Sequence, residues 1–178
     1  MTDPKRDLRP AAFFDRDGVI NRDHGYVGDI DNFELIEGSA RALRLCRESG
    51  YLIFIVTNQA GVAEGLFEEK DVNALHAHMK ALLAAEGAAI DDIRYCPHHP
   101  EARRARYRKD CPWRKPGPGM ILDIARQWPV DLARSFLVGD KARDMEAARV
   151  AGLRGFLYEN GPLDLFVADV ISRMGQSG

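Results

Sequence analysis

Apolar residues in this chain cluster in short unbroken runs. Ala11–Phe14, Tyr51–Val56 and Phe136–Val138 carry no polar face, as strands covered on both sides should. They predict a first strand over 11–15, a second over 51–56 and a fourth over 135–138, with weaker third and fifth strands over 90–95 and 155–158. Between the runs the period lengthens. Ala40, Leu43 and Cys46 recur at helical spacing in a segment opened by Gly38-Ser39 and closed by Gly50. Val72, Leu75, Met79 and Leu82 form the stripe of the longest helix, over 67–85. Further helices are expected from Gly119 to Gln127, from Arg143 to Ala151 and over 162–174. This alternation predicts an α/β fold, an open parallel Rossmann-like sheet with flanking helices. Residues 18–37 and 96–119 do not join the rhythm. The second stretch holds five prolines and the basic run Arg103–Lys109, and loops of that length are usually functional or tied down.

Length and charge narrow the classes. The 178 residues suit one domain over 11–178, after a flexible lead-in over 1–10 in which Pro4 and Pro10 flank charges. A formal net charge of −2 with both signs interspersed does not describe a polyanion-binding protein. The basic run lacks stacking aromatics beyond Tyr107, so no nucleic-acid partner is expected. It reads as a solvated loop, with anion steering as the lesser alternative. No apolar run approaches 18 residues and the N-terminus lacks an apolar signal core, so neither a membrane span nor secretion is expected. Three cysteines, an odd number, fit the cytoplasm better than a disulfide framework. Cys46 reads as core. His76 and His78 lie two apart on a helix, do not share a face, and read as solvated surface. No exposed apolar helix stands out, and a monomer is expected.

Candidate chemistry begins where the first run ends, at Asp15-Arg16-Asp17-Gly18. Residues i and i+2 of a strand face one side. Two carboxylates about 4 Å apart repel by roughly 4 kcal/mol at an effective dielectric near 20, so a proton or a cation must offset them. Alone, this Asp-x-Asp fits an acidic surface turn equally well. Position separates the two readings. Asp15, Thr57 and Asp140 each fall at or just past a predicted strand end, the edge where parallel sheets bind ligands. With Asp140, Asp144 and a phosphate ester nearby, the charge calls for Mg²⁺. Asp15 could then attack phosphorus to form an aspartyl-phosphate, with a protonated Asp17 serving the leaving alcohol. The Thr57 hydroxyl and the Asn58 N–H could hold phosphoryl oxygens, and Lys115 could neutralise developing charge.

Four ordered segments carry a resemblance: Asp15-x-Asp17-Gly-Val, Thr57-Asn58, Lys115-Pro116, and Gly139-Asp140-Lys141-x-x-Asp144. Together they resemble the motifs of haloacid dehalogenase-type (HAD) phosphatases with a minimal cap. Asp23-His24-Gly25-Tyr26-Val27, Thr57-Asn58-Gln59-Ala60-Gly61, Cys96-Pro97-His98-His99-Pro100 and Arg114-Lys115-Pro116 narrow this to the heptose bisphosphate and histidinol-phosphate phosphatases. The resemblance implies removal of the 7-phosphate of D-glycero-D-manno-heptose 1,7-bisphosphate, a small phosphorylated sugar. It makes Asp15 the nucleophile and Asp17 the proton donor. Asp15, Asp17 (through its carbonyl) and Asp140 would hold Mg²⁺, and Thr57 and Lys115 would stabilise the phosphoryl group. Substrate contacts would come from Asp23, His24, Gly25, Tyr26, Asn58, Gln59, Ala60, Arg114 and Lys141, with Asp144 in support. The resemblance also implies Zn²⁺ clamping the long loop through Cys96, His98 and Cys111. Trp113 stands at the fourth ligand position, which leaves open whether His99, a water or an acid completes the shell or the tryptophan fills it.

The alternatives are histidinol-phosphate hydrolysis, a receiver-type phospho-acceptor domain, and an inactive binding protein. Receivers pair two acids at the first strand and carry the acceptor on a later one. Here Asp-x-Asp comes first and Gly-Asp-x-x-x-Asp fourth, which disfavours that reading.

Overall fold

The computed structural model describes residues 7–176. Five strands form one sheet: β1 (Ala11–Phe14), β2 (Leu52–Asn58), β3 (Asp92–Cys96), β4 (Phe136–Gly139) and β5 (Arg154–Leu157). Their order is β3-β2-β1-β4-β5 and every pairing is parallel. The helices are α1 (Ser39–Glu48), α2 (Gly61–Glu64), α3 (Glu69–Ala85), α4 (Gly119–Gln127), α5 (Ala142–Ala151) and α6 (Leu163–Gly175). Among the described residues no helix is long and apolar enough to cross a membrane.

The unbroken apolar runs divide between two cores. Ala12, Phe14, Ile53, Ile55 and Phe136 pack with Leu43 and Cys46 of α1, Leu75 and Met79 of α3, and Val167 of α6. The alternate residues Phe13, Phe54, Val56 and Leu137 pack with Met120, Ile121 and Ile124 of α4 and Ala147 and Ala148 of α5. Each fully buried large apolar side chain contributes about 1.5–3 kcal/mol. Both faces of the sheet are therefore covered.

Most expected elements appear within a few residues of their predicted bounds. Strand β2 runs on through Thr57 and Asn58, because β3 pairs with it as far as Asn58 opposite Cys96. The α3 stripe closes on Leu83, while Leu82 is only partly buried against the same core. His76 is buried, contrary to the solvated role expected of it; His78 packs edge-on against Phe33. Residues 1–6 of the expected lead-in lie outside the described residues. Arg9 bridges to Val130 and Pro10 accepts from the Leu52 N–H, so these two residues belong with the sheet.

The basic run is largely exposed, as a solvated loop should be, but three of its arginines are held in ion pairs. Arg104 and Arg106 pair with Glu68 at 2.6 and 3.2 Å, and Arg103 pairs with Glu64 at 3.3 Å. Tyr107 is buried beside Val62, Ala63 and Val72. Its hydroxyl and that of Tyr95 donate to the two oxygens of Glu69, at 2.8 and 2.7 Å. The start of α3 thus fastens the long loop over the carboxyl edge.

Candidate active site

Asp15 is the first residue past β1, its N–H donating to Val138 of β4 at 3.0 Å. Gly18 then turns the chain at φ 85°. A Cβ there would collide with the Asp140 carboxylate, so glycine is required both by the backbone and by the approach of the second acid. Asp140 follows β4 directly, and Asp144 lies in the first turn of α5. One carboxylate oxygen from each of Asp15, Asp140 and Asp144 lies within 4.8 Å of the other two. The acids from the first and fourth strands meet.

Beneath them sits Lys115, only 2% exposed. Its ammonium is 2.9 Å from Asp15 Oδ1 and 2.6 Å from Asp144 Oδ1, and donates to the Val56 carbonyl at 2.8 Å. Burial works against that charge, yet Asp15 and Asp144 together raise the lysine above its ordinary value. Burial pushes the Asp15 carboxyl up to about 7; Lys115 opposes this, while Asp144 and Asp17 add to it. The Asp140 Oδ1 atom is buried and accepts no hydrogen bond among the described residues. A bare carboxylate oxygen is costly, and a hard cation satisfies it well. The acid cluster therefore fits Mg²⁺.

Asp17 borders the same site as Asp15, with its carboxylate engaged by neighbouring donors. Its carboxylate accepts from Arg16 (3.0 and 3.1 Å), Asn21 Nδ2 (2.9 Å) and Gln59 Nε2 (2.9 Å). Arg16 is fully buried and also meets the Val27 carbonyl at 2.8 Å, Gln59 Oε1 at 3.2 Å and His76 Nε2 at 3.2 Å. Burial first, then Arg16, pull His76 down to about 3. A neutral imidazole can accept the Arg16 proton, which explains a histidine on the inner face of α3. Sequence reasoning missed Arg16, Asn21 and His76. Arginine inside an Asp-x-Asp at the end of a buried strand was the available signal.

A cavity of about 270 Å³ opens above these groups. Asp15, Asp17, Asp23, Gly25, Tyr26, Asn58, Gln59, Ala60 and Arg114 line it as predicted, joined by Gly61, His99 and Arg143. Tyr26 holds a positive φ of 50° beside Gly25 at 77°, a left-handed pair that costs the tyrosine about 1–2 kcal/mol. The turn leaves Tyr26 exposed at the rim. Thr57 is buried below the cavity and accepts from Gln59 at 2.9 Å. The Asn58 side chain clamps the Lys115 backbone instead of reaching outward, donating to its carbonyl and accepting from its N–H, both at 3.0 Å. His24 turns away, 3.9 Å from Glu34. Lys141 pairs with Asp140 at 3.1 Å outside the cavity wall.

In the long loop, Cys96 Sγ, His98 and Cys111 also bring their ligand atoms within 4.8 Å of one another. His99 is not near completing that set: it lines the Asp15 cavity, and its Nδ1 accepts from the Glu101 N–H at 3.1 Å. Trp113 packs against the core containing Cys96 and Cys111. Burial raises the Cys96 thiol to about 12.

A family model described as HAD-hydrolase-like matches residues 112–164. With the parallel sheet and the paired acids at its carboxyl edge, this defines a HAD-type phosphatase. A D-glycero-β-D-manno-heptose-1,7-bisphosphate 7-phosphatase from Rhodopseudomonas palustris is 53% identical over 166 residues, covering 93% of this chain and 92% of the relative. One of the same name from Escherichia coli is 46% identical over 144 residues, covering 81% and 75%. The crystal structure of D,D-heptose 1,7-bisphosphate phosphatase from B. bronchiseptica, complexed with magnesium and phosphate, superposes with a TM-score of 0.79 at 34% identity, covering 95% and 99%. The chain belongs to the D-glycero-β-D-manno-heptose-1,7-bisphosphate 7-phosphatase family.

Proposed function

We infer that this chain removes the 7-phosphate of D-glycero-β-D-manno-heptose 1,7-bisphosphate through a phosphoryl-enzyme on Asp15. The observation that carries the reading is the meeting of Asp15, Asp140 and Asp144, with Lys115 bridging Asp15 and Asp144 and with Asp15 opening into the cavity. The relatives' names supply the substrate. Asp15, Asp140 and the Asp17 carbonyl are assigned to Mg²⁺, which when bound neutralises carboxylate and phosphate charge and orients the ester for in-line attack. Asp144 is already engaged by Lys115 and by the Lys141 N–H at 3.1 Å, which suits a supporting role.

In the first half-reaction an Asp15 oxygen bonds to phosphorus and the ester C–O–P oxygen departs. Lys115, held between two acids, fixes the attacking carboxylate and offsets charge on the transferring group. Thr57 and the backbone at Asn58 hold phosphoryl oxygens. The leaving alkoxide takes a proton from Asp17, which must first rotate off the Arg16–Gln59 network towards the cavity it borders. In the second half-reaction Asp17 takes a proton from water as the water attacks phosphorus, the Asp15 O–P bond breaks, and inorganic phosphate leaves with the Asp15 carboxylate restored.

The same reading assigns Zn²⁺ to Cys96, His98 and Cys111, with Trp113 packed where the family has a fourth ligand. Convergence of three donors supports it, and bound zinc would cross-link the loop that carries Lys115. Glu69 borders the same space, but its oxygens are taken by Tyr95 and Tyr107.

Phosphate release measured side by side on the β and α anomers of the heptose bisphosphate and on histidinol phosphate tests the substrate. The β anomer should give the highest kcat/KM. Preference for histidinol phosphate, or no release from any of the three, would overturn the assignment.

A further inference from the structure

The buried residues of α3 are Val72, Leu75, His76, Met79 and Leu83. Their spacing puts them on one face of the helix, and all but His76 are apolar. Burying an imidazole costs stability unless its nitrogens find partners, so a leucine would suit this stripe better on packing alone. The ring is held from two sides. It meets Tyr95 of β3 edge-on, with centroids 5.8 Å apart, and its Nε2 lies 3.2 Å from Arg16 Nη1. Burial first, then Arg16, keeps the imidazole neutral, and with its proton on Nδ1 the ring offers Nε2 as an acceptor.

The Arg16 guanidinium divides its donors. Nε and Nη2 hold the Asp17 carboxylate, at 3.0 to 3.1 Å, and Nη2 also meets the Val27 carbonyl and Gln59 Oε1. Among the described residues Nη1 has one acceptor, His76. Asp17 must leave this network to protonate the leaving oxygen. While it is away, Val27, Gln59 and His76 still anchor the guanidinium. Without His76, a fully buried Nη1 loses its acceptor and the guanidinium gains by following the carboxylate. We propose that His76 is a positioning residue for proton transfer: it anchors the outer edge of Arg16 and thereby fixes the place from which Asp17 turns to the leaving group. This rests on the assignment of Asp17 as proton donor above and deepens it.

The test uses two esters that differ in their need for a proton. The heptose 1,7-bisphosphate expels an alkoxide, which needs one, and p-nitrophenyl phosphate expels a stable phenolate, which does not. In both, kcat/KM reports the transfer to Asp15, the step in which Asp17 gives up its proton. His76→Leu should lower kcat/KM about tenfold on the bisphosphate and less than about twofold on p-nitrophenyl phosphate. His76→Asn, whose oxygen reaches only the depth of Nδ1, should behave likewise, and it carries the comparison should the leucine variant not fold. His76→Gln, whose oxygen reaches the depth of Nε2, should recover most of the loss. Added to Asp17→Asn, His76→Leu should cause no further loss on the bisphosphate, because one residue acts through the other. Equal losses on the two esters, or a loss that glutamine does not recover, would make His76 a packing residue and overturn the proposal. Parental activity in both the leucine and asparagine variants would also overturn it. If Asp17→Asn by itself slows both esters equally, the proton-donor assignment fails and takes this proposal with it.

Discussion

Donors from three residues surround the Asp17 carboxylate, whereas Asp15, two positions earlier, faces a lysine and other acids. Alternation along an extended segment would have put the two side chains together. The chain instead leaves the strand at Phe14 and turns through Gly18, so Asp17 lands beside the buried Arg16. The two carboxylates thereby acquire different surroundings, one against Lys115 and the acids Asp140 and Asp144, the other within the donor network of Arg16, Asn21 and Gln59. Replacing Asp15 by Asn keeps the shape and removes the nucleophile. Turnover should fall by about 10⁴-fold or more while the fold persists. Retention of more than about 1% of the parental kcat would show that another group attacks phosphorus.

The long loop after β3 is held at three points: the acids Glu64, Glu68 and Glu69 where α2 gives way to α3, the Asn58 clamp on Lys115, and the cysteine–histidine cluster. Only the last was legible beforehand, because cysteines and histidines announce themselves by spacing. Arg103–Lys109 is solvated as the sequence suggests, but its ion pairs with Glu64 and Glu68 join segments far apart in the chain, and no local pattern announces them. Trp113, likewise, reads from the sequence as a missing ligand and in the fold as part of a core. Metal analysis of the purified protein should find close to one zinc per chain. Trp113→Cys should make that zinc harder to strip with a chelator. A ratio near zero in the parent would show that packing alone holds the loop.

For the molecule as a whole, a buried neutral histidine next to a buried arginine links stability to pH. His76 is held near 3 when folded and takes up a proton near 6.5 when unfolded. Between those values the unfolded chain binds more protons, so stability falls as pH falls. The contribution is fully present above about 6.5 and declines by up to about 1.4 kcal/mol per unit below it. His76→Gln removes this dependence and can still accept from Arg16. Urea denaturation at pH 7, 6 and 5 should show the parent losing stability faster than the variant. Parallel losses would mean that His76 is protonated without cost in the folded state.

Unbroken apolar runs, helical stripes and glycine stops were enough to specify a parallel sheet covered on both faces. Once the strand ends were known, Asp15, Thr57 and Asp140 followed, because a parallel sheet delivers every strand's last residue to the same edge. Depth and pairing were not readable in the same way. Arg16, His76 and Lys115 are charged or polar residues whose burial depends on partners far along the chain. Side-chain neighbours across tens of residues are set by packing, and packing leaves no periodic trace in the order of the amino acids.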